Sequence, residues 1–229
     1  DDMGTKALFI VSTPTQVATF DAVLRSEIGS QTPLQPLFVS LERFYSQRGT
    51  HNKLIEARWP FVVLCEDYDY NIFFLHSSWK RVWAVLHARI ALAKIIDDFR
   101  PDVIVLGNDI GPVEKVSIDV ASQHSIATLL VQDGILSNKS NEDYGSMPSS
   151  PSGYLRRGCK TLSRLFLNCL GILPMPTKYG GGGCNLIAAM GPYSRDILIE
   201  KGAPSGRIIV TGQPRFDSLA RAVQTRCIN

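Results

Sequence analysis

Seven short, almost unbroken apolar runs recur along the 229-residue chain. They are residues 6–11 (KALFIV), 36–40 (PLFVS), 60–64 (PFVVL), 102–106 (DVIVL), 126–131 (IATLLV), 185–190 (NLIAAM) and 207–211 (RIIVT). A strand that is apolar at every position must be covered on both faces. Between several of the runs lie stretches of helical periodicity, at 16–28, 78–98, 112–123 and 193–201. Parallel strands need such crossovers, and the helices then cover both faces of the sheet. The predicted fold is α/β, a Rossmann-like, doubly wound parallel sheet. In the 78–98 helix the apolar positions Trp79, Val82, Trp83, Leu86, Ile90, Ala93 and Ile96 are expected to form the core face. Pro14 suits a helix start, and Lys201-Gly202 suits a glycine stop.

The rhythm breaks at 137–183, which holds a polar run, a basic amphipathic stretch, a Pro-rich piece and Gly180–Gly183. This is expected to be an insertion in one domain spanning 1–229, with the four glycines as a hinge. In 155–173 the residues Leu155, Cys159, Leu162, Leu165, Phe166, Cys169, Leu170 and Leu173 share a helical face, with Arg156, Arg157, Lys160 and Arg164 off it. Such a helix packs on its own domain or rests peripherally on an anionic membrane. No apolar run is long enough to span a bilayer. The opening Asp-Asp lacks the basic region of a signal peptide, and Met3 reads as a start. A net charge of +3 is too small for a dedicated nucleic-acid binder. Five cysteines without metal-type spacing read as free thiols in a reducing cytoplasm.

Ligands of an open parallel sheet bind beyond the carboxyl ends of its strands. The residues expected there are Thr13, Thr15 and Gln16 after the first run, Asn108 and Asp109 after 102–106, and Gln132, Asp133 and Gly134 after 126–131. Gly212, Arg215 and Asp217 follow the last run. If their strands are neighbours, Asp109 and Asp133 face one crevice and can divide acid and base roles. The alternative is that each caps a helix or braces a turn. Thr13–Gln16 can present hydroxyls and helix N–H groups to a phosphate, or serve as an ordinary N-cap. No GxGxxG, P-loop or GxSxG motif is present, and His51, His76, His87 and His124 form no zinc pattern.

The runs RPDVIVLGNDIGPVEKVSIDVASQHSIATLLVQDG and CNLIAAMGPYSRDILIEKGAPSGRIIVTGQPRFDSL resemble segments of GT-B fold enzymes. They are most similar to non-hydrolysing UDP-N-acetylglucosamine 2-epimerases and related surface-polysaccharide transferases. The resemblance covers most of 6–136 and 184–220. It implies the N-terminal, acceptor-side half of a two-half enzyme, with a linker helix at about 214–226 leading to a C-terminal half. That second half would hold most of a nucleotide-sugar donor. By position Asp109 matches the aspartate after the family's fourth strand, and Asp133 falls where the epimerases have a catalytic glutamate. The epimerases continue with Gly-Leu-Arg-Thr, where this chain has Gly134-Ile135-Leu136-Ser137. Their third carboxylate would fall near Glu142.

These departures favour a glycosyltransferase for surface polysaccharide over an epimerase. The implied partners are a nucleotide-sugar donor and a sugar or lipid-linked acceptor, with no metal or other cofactor and no nucleic acid. The implied location is cytoplasmic, with peripheral membrane contact through 155–173. A third reading is a non-catalytic module that binds sugar or protein.

Overall fold

The computed structural model describes residues 4–26, 33–45, 48–71, 78–134 and 177–214, together with Leu167 and Pro174. Each apolar run forms a strand: β1 Thr5–Val11, β2 Leu34–Ser40, β3 Phe61–Val63, β4 Val103–Leu106, β5 Ala127–Val131, β6 Leu186–Ala189 and β7 Ile208–Val210. They make one seven-stranded sheet in the order β3-β2-β1-β4-β5-β6-β7, with every pairing parallel. The described helices are α1 Pro14–Leu24, α2 Thr50–Ala57, α3 Ser78–Phe99, α4 Pro112–Gln123 and α5 Pro192–Glu200. This is the doubly wound α/β fold that the alternation of runs and helices requires.

The two faces explain the unbroken runs. In β1, Ala7, Phe9 and Val11 point into a core shared with Val17, Phe20 and Leu24 of α1 and Leu54 of α2. Leu8 and Ile10 point the other way, into a larger core with α3, α4 and α5. Aromatic rings tighten the first core: Phe9 stacks on Phe38 at 4.9 Å between centroids and tilts against Phe20 at 5.2 Å. Full burial of a side chain of this size contributes about 1.5–3 kcal/mol.

Local signals set the helix ends. Thr13 caps α1 by accepting the Gln16 N–H at 3.2 Å, and Pro14 occupies the first turn, where its missing N–H costs nothing. Helix α5 ends at Lys201, and Gly202 takes the left-handed φ of +94°. Helix α2 has no counterpart among the helices read from the sequence. Helix α2 is only eight residues long and buries only Thr50 and Leu54, too short a stretch for helical periodicity to stand out.

The face expected for α3 meets the core only in part: Val82 and Ile96 are buried and Ala93 packs against the core, while the helix is rotated enough to expose three of its large residues. Val82, Val85, Leu92 and Ile96 are buried, beside Ala84 and Ala88. Trp79, Trp83 and Ile90 are exposed. The helix is apolar on more than one side, so spacing alone does not choose a face. The alanines choose it, because small side chains let neighbouring helices approach closely.

Most of the expected 137–183 insertion, the amphipathic stretch 155–173 apart from Leu167, Glu142, His76 and the linker helix beyond Pro214 lie outside the described residues. Among the described residues, no helix is long and apolar enough to cross a membrane.

Candidate functional site

The chain winds outward from β1 to β2 and β3, then crosses back to lay β4 on the other side of β1. This makes a topological switch point between β1 and β4, the place beyond the strand ends where open α/β sheets bind ligands. Helices α1, α4 and α5 all begin at this end, so the positive ends of their dipoles face it.

At the switch point the polar groups bind one another. Gln16 is buried, and its Oε1 accepts the Ser12 N–H at 2.8 Å and the Ser12 hydroxyl at 3.3 Å. A Cβ on Gly107 would come within 2.5–2.8 Å of the Gln16 side chain, so glycine is what allows this close approach. Asn108 accepts the Ile110 N–H at 3.1 Å and donates to Glu114 at 3.3 Å. Glu114, only 2% exposed, also hydrogen-bonds the Tyr45 hydroxyl. Burial raises the Glu114 carboxyl above its usual range, against the opposing effect of hydrogen bonds from Tyr45 and Asn108. Burial, with the adjacent Glu114, also pushes the Tyr45 phenol up. The surroundings thus favour the protonated form of each group.

Asp109 and Asp133 follow neighbouring strands, and their carboxylates are held in different ways. Asp109 is 0% exposed. Its Oδ1 accepts the Gly180 N–H at 3.1 Å and its Oδ2 accepts the Gly182 N–H at 2.7 Å. Its carboxyl is raised by burial, partly offset by those two N–H groups and by Lys115. A Cβ on Gly182 would lie 2.7 Å from the Asp109 Cβ and 2.8 Å from its backbone oxygen, so this clamp needs glycine. The four glycines are therefore not a hinge. They are a docked turn held to the exit of β4.

Asp133 is only partly buried. Its Oδ1 accepts the hydroxyl of Thr19, a fully buried residue of α1, at 2.7 Å. Its backbone oxygen accepts from Gln213 at 3.2 Å. The strand exit thus presents an oriented carboxylate. Between the two aspartates stands Tyr179, whose hydroxyl lies 3.4 Å from the Gly107 oxygen and 3.5 Å from the Val131 oxygen. Burial, reinforced by Asp109 and Asp133, raises the Tyr179 phenol far above its usual value and keeps it protonated.

The remaining expected residues divide between bracing and surface positions. Gln132 is buried and braces the end of β5. It donates to the Gly134 oxygen at 2.7 Å and to Ser194 at 3.1 Å, and it accepts the Met190 N–H at 2.9 Å. Thr13 is a helix cap, while Thr15 and Gly134 are exposed at the strand-exit end. Gly212 follows β7 with φ +85°. Arg215 and Asp217 lie outside the described residues. Tyr45, Glu114 and Tyr179 are not among the residues expected from the sequence. Tyr45 lies in the turn after β2, a strand exit left out of the expected site, Tyr179 comes from a stretch with no strand-exit pattern, and Glu114 reads in sequence as an ordinary acidic first-turn residue. Among the described residues, no group of three or more His, Cys, Asp or Glu is placed to hold a metal ion.

No protein-family model matches the sequence, and no curated protein matches it. Solved structures do match the fold. The UDP-GlcNAc 2-epimerase of Neisseria meningitidis bound to UDP-GlcNAc superposes with a TM-score of 0.55 at 16% identity, covering 98% of this chain and 51% of that one. A second UDP-N-acetylglucosamine 2-epimerase gives 0.56 at 16% identity, covering 95% and 50%. The Methanocaldococcus jannaschii UDP-GlcNAc 2-epimerase in complex with UDP-GlcNAc and UDP gives 0.54 at 16% identity, covering 98% and 51%. The chain spans about half the length of each. With the all-parallel sheet, these likenesses establish the fold: this chain is a Rossmann-like α/β half of the GT-B type found in the UDP-GlcNAc 2-epimerases.

Proposed function

We propose that the chain is the acceptor-side half of a GT-B enzyme that uses a nucleotide-activated sugar, a glycosyltransferase of surface-polysaccharide synthesis. The observation that carries this is Asp133, a partly exposed carboxylate at a strand exit, oriented by Thr19. The reading is also supported by the fold, shared with epimerases solved with UDP-GlcNAc bound.

In this reading Asp133 accepts the proton of an acceptor hydroxyl. The hydroxyl oxygen attacks the anomeric carbon of the donor, and the bond from that carbon to the nucleoside diphosphate breaks. The positive ends of α1, α4 and α5 stabilise the departing diphosphate together with donor groups of the other half. Asp109 takes no part in the proton transfer, because its carboxylate is enclosed by Gly180 and Gly182. It holds the glycine turn that follows Tyr179 in place.

The second reading is an epimerase, favoured by the identity of the matched structures. It would remove the proton at sugar C2 and eliminate the nucleotide. The complete gene product, incubated with UDP-GlcNAc in deuterated water, separates the two. Transfer predicts UDP release that depends on an added saccharide acceptor, with no deuterium at C2 of the sugar. Deuterium at C2 without an acceptor would replace transfer by epimerisation.

A further inference from the structure

Two of the chain's three tryptophans lie on the exposed side of α3. Trp79 is 78% exposed and Trp83 is 58% exposed, one helical turn apart. Folding rewards burial of an indole, and single exposed apolar residues are common, but adjacent exposed indoles lining a concavity mark a binding surface. These two rings face the loop that follows β3. With Tyr68, Asp69, Tyr70 and Lys80 they line a cavity of about 490 Å³. That lies within the ~300–1,000 Å³ typical of small-molecule sites.

The walls of this cavity are held in place. Tyr70 stacks on the buried Phe44 at 4.9 Å, and Tyr68 stacks on Tyr70 at 5.5 Å. The Tyr70 hydroxyl is hydrogen-bonded to Nδ1 of His87, which ties the β3 loop to α3. The Trp83 ring packs on the His87 ring at 4.6 Å. The Tyr70 N–H donates to the Arg43 oxygen at 2.9 Å, fixing the loop to the exit of β2. Aromatic surfaces locked in this way are ready to bind without first being ordered.

The chemistry of the lining selects a ligand class. Flat apolar rings alternate with one acceptor, Asp69, one cation, Lys80, and the phenol of Tyr68. A pyranose matches this: its C–H faces lie on aromatic rings while its hydroxyls donate to a carboxylate and accept from an ammonium. A lipid chain would leave the charges unused. A diphosphate would meet one cation and one repelling carboxylate.

The location connects the cavity to the reacting end. It opens beyond β3, on the strand-exit side, two strands from the switch point, or about 10 Å at the usual strand spacing. Phe44, under Tyr70, adjoins Tyr45, which bonds Glu114 at the switch point. We propose that Tyr68, Trp79 and Trp83 form a saccharide-stacking site that holds a sugar unit of the acceptor away from its reacting hydroxyl. This deepens the transferase reading and rests on it for the identity of the saccharide as acceptor.

The 229-residue chain, labelled with ¹⁵N at its tryptophans, tests the site through their indole N–H resonances. The probes are chitotetraose and cellotetraose, with UDP alone as a comparison. Trp59 is an internal reference, since its Nε1 donates to Asp21 at 2.8 Å and Arg25 covers its ring at 5.1 Å. A tetrasaccharide is expected to shift the Trp79 and Trp83 signals in a saturable way and leave Trp59 unmoved. Trp79→Ala and Trp83→Ala should each weaken binding about tenfold, the effect of losing one stacked ring. Both rings are exposed, so the variants should melt with the wild type. The proposal is overturned if neither tetrasaccharide shifts these signals at millimolar concentration, or if the double variant still binds. It is also overturned if UDP gives the same shifts, or if the signals change only as the chain's mass doubles. Binding is read without turnover, so a chain that binds saccharide but transfers nothing leaves this site standing and removes the transfer reading.

Discussion

Asp133→Asn in the complete gene product is expected to lower kcat by about 10²–10⁴-fold, the usual contribution of a general base. The substitution keeps the shape of the side chain, and its oxygen can still accept the Thr19 hydroxyl. What it loses is the capacity to take a proton. The melting temperature should therefore stay near that of the wild type while turnover falls. Steady-state kinetics beside a thermal melt check both halves. Wild-type turnover in this variant would remove Asp133 from the proton transfer.

The same change one strand away should do the reverse. Asp109→Asn puts an amide NH₂ against one of the two glycine N–H groups that the carboxylate now accepts. One hydrogen bond to a charged acceptor is lost and a buried donor is left facing another donor. The expected cost is about 2–3 kcal/mol, or ~5–10 °C in Tm for a chain of this size. Burial holds the carboxyls of Asp109 and Glu114 above their usual range. Between the unfolded and the raised folded values, the folded chain keeps protons that the unfolded chain has released. Each carboxyl thus contributes stability that is fully present below its unfolded value and is lost as pH rises through its folded one. The slope is at most about 1.4 kcal/mol per pH unit for each group. Urea unfolding across that window should show the wild type losing stability with rising pH, and Asp109→Asn losing less. An unchanged Tm and an unchanged slope would mean that the glycine clamp contributes nothing in solution.

The sheet was legible because its inner strands are buried on both faces, which leaves uninterrupted apolar runs, and the edge strands β3 and β7 keep such runs although Val62, Ile209 and Val210 are exposed. Proline and glycine marked where α1 begins and α5 ends. Helix α2 was hidden because it buries little beyond Leu54. The core face of α3 was legible only at Val82, Ala93 and Ile96, because large apolar residues stand on both sides of the helix. The alanines on its inner side, with little hydropathy of their own, decided which side faces α4. At the site, the strand-exit rule found Asp109 and Asp133 but could not separate them. Their difference comes from residues 177–183, which return from far along the chain to close over one aspartate and leave the other partly open. No local pattern encodes such a long-range contact, and for the same reason Tyr179 could not be placed from sequence, whereas Tyr45 stands at the exit of β2, which the expected site did not include.

A nucleotide sugar reacting at the strand-exit end of this sheet, as proposed above, would cover the turns there. Amide hydrogen exchange of the complete gene product, with and without UDP-GlcNAc, reads that cover turn by turn. Protection is expected in the turns that follow the strands, at 12–16, 107–111, 132–134 and 211–214, with the 132–134 turn that bears Asp133 among them. Protection confined to the opposite ends of the strands, or none in these turns while the sugar nucleotide is bound, would contradict reaction at that end.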